Sequence, residues 1–237
     1  MKTIALVVGM ALLAVQDRDR RNAKPFVPTA EFETRSSEGW TVRVDRRLLG
    51  SEKELGGRAL QLLDDQLRGI ARAVPAKAVE ELRKVTLWLC VDEGTGAGAE
   101  YHPDRGWLKT HGYNPDKAKA VELGNAAEFL REIHRQPVLV LHELAHAYHD
   151  QVLGFDHPEI QAAFDAAVQS GKYEKVLRWD NRRVRHYALT NHKEYFAEST
   201  EAFFGTNDFY PFVRPELREH DPEIFRVLQK VWGATEK

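Results

Sequence analysis

The stretch from Pro137 to Gly154, PVLVLHELAHAYHDQVLG, constrains this chain more than any other. Proline in the first turn and glycine at the end are the expected punctuation of a helix. Val138, Leu141, Ala145, Tyr148 and Val152 form one apolar stripe, and Val140, Leu144 and Ala147 widen it over most of the circumference. A helix that is apolar nearly all round has to be buried. A neighbouring face nevertheless carries His142, His146 and His149, and buried imidazoles require partners. The fold must wrap this helix and bring polar groups to it.

His142 to His146 reads H-E-x-x-H. Side chains four apart on a helix share a face about 6 Å apart, and two imidazoles so placed can bind one Zn²⁺ at about 2.0–2.1 Å each. Glu143 then projects beside the metal, where a carboxylate can take a proton from the attacking water. That is the core of a zinc hydrolase. A catalytic zinc usually takes three protein ligands. His149 lies a turn beyond His146 on an unbroken helix, too far along the axis to close the same site. It is expected behind a ligand or against substrate. His157 follows too late after His146 to be a good ligand.

A better third ligand lies in NHKEYFAESTEAFF. Asn191 is a good N-cap, and Glu194, Glu198 and Glu201 fall on one face of the helix it starts. Tyr195, Phe196, Ala202, Phe203 and Phe204 take most of the remainder, so this helix is expected to be buried. Stacked carboxylates in a poorly solvated place need cations or donors. Zinc on Glu194, with a ligand imidazole N–H on Glu198, would satisfy both. Glu201 reads as the solvated end of the stripe or as a salt-bridge partner. Tyr187 or His186, just upstream, can donate to the oxyanion formed when water attacks a carbonyl.

H-E-x-x-H followed by a glutamate on a second helix resembles the gluzincin arrangement of thermolysin-like peptidases. It is more similar to the catalytic domain of lethal-factor-like metallopeptidases, with a tyrosine seven residues before the ligand glutamate, then an aromatic pair, alanine and a second glutamate. Tyr187 to Glu198, YALTNHKEYFAE, keeps that pattern. The resemblance implies a zincin-like domain with Glu194 as third ligand. It also implies Glu198 as the carboxylate that orients His142, and Tyr187 as the oxyanion donor.

The chain has 237 residues, 43% of them hydrophobic, and a formal net charge of −2. That balance gives no electrostatic reason to expect nucleic acid as a partner. Lys2 precedes an apolar run, Ile4 to Val15, followed at once by QDRDRR. This reads as a signal peptide over residues 1–15 and predicts a secreted or periplasmic protein. The run is too short for a membrane anchor. Residues 16–36 read as a linker and residues 37–237 as one domain. Cys90, the only cysteine, lies in VTLWLCV and is expected as a core residue.

The N-terminal half reads as strands at Trp40–Val44 and Val85–Val91 with helices at Leu55–Val74 and Pro75–Lys84. The glycine-rich stretch 93–115 reads as loop with short strands, GWL among them. Ala120–Leu123 reads as an edge strand, and 121–126 as the edge against which a peptide would lie. His102, Trp107, His111 and Tyr113 are candidate groove residues, and NDFYPF (207–212) is expected in the core. With an almost wholly helical second half, the class is α+β with a small mixed sheet. The expected activity is peptide-bond hydrolysis on a peptide or protein substrate. A metal-binding module without catalysis and a zinc hydrolase of non-peptide amides are the alternatives.

Overall fold

A computed structural model of the protein describes residues 26–93 and 98–234. The expected signal peptide, 1–15, lies outside them. The expected linker lies partly inside them and is shorter than predicted there. β1 (Phe32–Ser37) begins within it and pairs antiparallel with β2 (Trp40–Asp45). Their two-residue turn, Glu38-Gly39, has φ of 48° and 91°, the positive values that a tight twisted hairpin requires.

A long helix follows, α1 (Lys53–Ala73), then α2 (Ala76–Leu82) and β3 (Leu87–Leu89). Leu63, Leu67 and Ile70 line the buried stripe of α1, each stabilising the fold by about 1.5–3 kcal/mol if fully buried. β4 (Glu100–His102), α3 (Arg105–Thr110), β5 (Ala120–Leu123) and α4 (Ala126–Glu132) complete the first half. GWL is therefore helix rather than strand. Asp104 accepts from the Trp107 amide and so caps α3, an N-cap that starts a helix where glycine suggests a loop.

The sheet order is β1-β2-β3-β5-β4, with β2, β3 and β5 parallel and β1 and β4 antiparallel to their neighbours. β5 is interior, and β4 forms the edge expected of Ala120–Leu123. One face presents Val42, Val44, Leu87, Leu89, Val121 and Leu123 to the main core. The other carries the row Arg43, Trp88, Glu122, Glu100 and a small cluster of Phe32, Trp88, Cys90 and Ala120.

The second half is helical apart from the short hairpin β6 (Val176–Leu177) and β7 (Arg183–Val184). Its helices are α5 (Leu139–Tyr148), α6 (Pro158–Ser170), α7 (His192–Phe204), α8 (Arg214–His220) and α9 (Pro222–Trp232). α5 continues through a π turn, His149–Leu153, to Gly154 at φ 83°. All of α5 except His146 is buried, as is α7 from Tyr195 to Phe203. The architecture is mixed α+β, with a small mixed sheet in the N-terminal half. Among the described residues no helix is long and apolar enough to cross a membrane.

Candidate metal and catalytic site

α5 and α7 pack together, and the polar faces they turn to each other meet in a cleft of about 720 Å³ walled by β4. His142, Glu143, His146, Tyr187, Glu194 and Glu198 all line it. His142 Nε2 and His146 Nε2 are 3.1 Å apart, and Glu194 Oε2 is 3.3 Å from each. All three side chains are less than a fifth exposed. One ligand atom of each falls within 4.8 Å of the others, which suits a metal ion. Asn191 caps α7 by accepting from the Lys193 and Glu194 amides, and the Glu194 carboxylate is turned to the histidines.

The electrostatics follow from this crowding. Burial alone would raise the Glu194 carboxyl, but its hydrogen bonds with His142 and His146 outweigh it and hold the group well below the usual carboxylate range. Burial alone would lower His142, but Glu194 and Glu201 prevail and raise it well above its usual value.

The carboxylate on His142 is Glu201, where Glu198 was expected. Glu201 Oε1 accepts from His142 Nδ1 at 2.5 Å and from Gln136 Nε2 at 2.7 Å, whereas Glu198 Oε1 stands 4.0 Å from the same Nδ1. Glu201 is fully buried, not a solvated end of the stripe. A hydrogen on Nδ1 leaves the Nε2 lone pair of neutral His142 facing His146 and Glu194. The signal was present, because the aromatic residues that bury Glu198 run a full turn further, to Phe203. Glu198 instead accepts from Asn207 Nδ2 at 2.8 Å. Burial, with Glu201 beside it, pushes its carboxyl well up. Asp208, which sequence did not single out, also lines the cleft. Burial and Glu201 push it to about 7.

Glu143 Oε2 accepts from the Tyr101 amide at 2.8 Å, which ties the carboxylate to β4. The Tyr101 hydroxyl donates to Asp150 Oδ2 at 2.6 Å and anchors the same strand beyond the end of α5. Tyr187 opens the short 3₁₀ turn before α7 and is 49% exposed. Burial of part of its ring and the nearby Glu194 raise its hydroxyl, so the phenol keeps its proton.

Two expected contacts lie elsewhere. His186 is buried and stacked on Phe209 at 4.7 Å, with Nδ1 accepting from the Ala188 amide. His149 is fully buried among Phe155, Phe196 and His192. Neither lines the cleft. His157 stands at the head of α6, away from the three ligand atoms. NDFYPF is not all core, because Asp208 and Phe209 form cleft wall. His102 is buried against Glu122 at 2.7 Å, and both it and Trp107 line a neighbouring cavity.

No protein-family model matches the chain, and searches of curated proteins and of solved structures find no significant match.

Proposed function

We propose that the protein is an exported zinc metallopeptidase of the gluzincin type with a zincin-like fold, in which His142, His146 and Glu194 hold the metal. The observation that carries this reading is the donor triangle, with edges of 3.1, 3.3 and 3.3 Å. Ligands at 2.0–2.1 Å around a tetrahedral ion stand about 3.3–3.4 Å apart. Two imidazole nitrogens and one carboxylate oxygen, open to a cleft, are the donor set of a catalytic zinc, which keeps a fourth position free.

A bound zinc supplies Lewis acidity to the attacking water and to the carbonyl under attack. The chain's own residues supply the rest. Glu143 accepts a proton from that water at its carboxylate and returns it to the leaving amine nitrogen, while the Tyr101 amide fixes the carboxylate's position. The Tyr187 phenol donates to the developing oxyanion, a contribution of about 3–4 kcal/mol for one such donor. Glu201 sets the tautomer of His142. The apolar run of residues 4–15 supports export, and β4, the edge strand beside the cleft, supports an extended peptide as substrate.

The test is Glu143→Gln on a peptide library. Zinc content should match wild type while turnover falls by about 10²–10⁴-fold. Undiminished turnover would remove Glu143 from the reaction and the reading with it.

A further inference from the structure

A second cavity, of about 340 Å³, adjoins the cleft along β4. Glu100, Tyr101 and Pro103 line both, and His102, Asp104, Trp107 and Leu108 enclose the remainder. Leu108 is fully buried, whereas Trp107 leaves 46% of its surface exposed. The indole is stacked with His111 at 4.1 Å and Tyr113 at 5.5 Å, which holds its plane.

Glu100 stands where the two cavities join. In its row across the sheet the neighbouring Glu122 is compensated twice, by Lys117 at 2.5 Å and His102 at 2.7 Å. Glu100 is half-buried, yet among the described residues its carboxylate has no hydrogen-bond donor and no cation at ion-pair distance. Burial, with Glu143 and Glu122 opposing His102, pushes its carboxyl up. The cleft's own arginines are committed elsewhere, Arg135 to Glu132 and Arg178 to Asp180. Asp104 spends one oxygen on the cap of α3. A carboxylate so placed, half out of water and flanked by others of its sign, is stabilised by a cation brought from outside.

We propose that this junction is a side-chain subsite for a basic residue of the substrate, arginine before lysine. The aliphatic stem would lie on the exposed Pro103, and the guanidinium would lie against the exposed surface of Trp107 and pair with Glu100. Arginine suits the place because its planar cation both stacks on an aromatic face and pairs with a carboxylate. What fills the subsite rests on the peptidase reading, but its affinity for a cation does not.

Two small probes separate the claims: N-acetyl-arginine methylamide and its norleucine counterpart, titrated against the full chain while the Trp107 indole N–H resonance is followed. Trp107→Leu assigns that resonance. The arginine probe should shift it and bind at least tenfold tighter than the norleucine probe, and Glu100→Gln should erase the difference. Trp107→Leu should also weaken the arginine probe by equilibrium titration, a second readout if Glu100→Gln does not fold. In a cleavage library, arginine should be enriched at one fixed position for wild type and not for Glu100→Gln. Equal affinity for the two probes, or a preference that survives Glu100→Gln, overturns the subsite. Probe binding as stated by a protein that holds no zinc leaves the subsite standing and removes the metallopeptidase reading. Hydrolysis without the arginine preference removes the subsite alone.

Discussion

At the scale of single residues, the sharpest difference between what sequence suggests and what the structure holds is the exchange of Glu198 for Glu201 beside His142. The motif and the helical period bring three carboxylates to one face, and they leave open which of them meets the imidazole. That depends on how far α7 slides along α5, a packing distance that no spacing records. Gln136 was likewise invisible as a partner, because it precedes α5 and reaches Glu201 only after the chain has turned. The exchange has a measurable consequence. Removing a carboxylate that orients a ligand histidine typically costs 10–100-fold in metal affinity. Glu201→Ala should therefore weaken zinc binding by that amount in chelator competition, and Glu198→Ala by less. The reverse order would restore Glu198 as the orienting group.

At the scale of elements, α1, α2, β2 and the helices carrying H-E-x-x-H and Glu194 were legible because their patterns are long or strongly periodic. β4 was not. Three residues beside a glycine-rich loop carry too little pattern, and the order of strands in a sheet is decided by pairing that sequence does not display. β5 looked like an edge for the same reason, although burial of all four of its residues marks it as interior. The start of α1 offers a test that isolates close packing from propensity. A Cβ on Gly56 would lie 1.9 Å from the Leu48 carbonyl oxygen, whereas one on Gly57 meets nothing within 4 Å. Gly57→Ala should stabilise the protein by up to about 1 kcal/mol through helix propensity. Gly56→Ala should destabilise it by more than that gain, because backbone has to move. Denaturant unfolding of the two variants reads both signs, and equal effects would contradict the close approach of α1 to the preceding turn.

At the scale of the whole molecule, burial of neutral histidines couples folding to pH. His149 and His186 are both held near 3, the first by burial and the neighbouring His192, the second by burial and His220. Unfolded, each would titrate at about 6.5. Between those values the unfolded chain binds the extra protons at these two positions, so their contribution to stability rises with pH across that window and is lost as pH drops below about 6.5. His149 and His186 therefore lower the unfolding midpoint from pH 7 to pH 4, against the opposite pull of Asp208 and Glu198, whose carboxyls are raised. His186→Phe, which keeps an aromatic face against Phe209, should reduce the low-pH loss relative to wild type. An unchanged slope would show that His186 does not carry it.

The α+β class was legible in a mixed first half and a helical second half, and the meeting of His142, His146 and Glu194 in the argument that a buried helix bearing imidazoles must find polar partners. The central claim is that those three side chains form a zinc site. Zinc titration of the metal-free protein, wild type beside Glu194→Ala, tests it most directly. One zinc per chain in wild type, with affinity reduced by orders of magnitude in Glu194→Ala, is the predicted result. Absence of zinc binding, or equal affinity in both proteins, would contradict it.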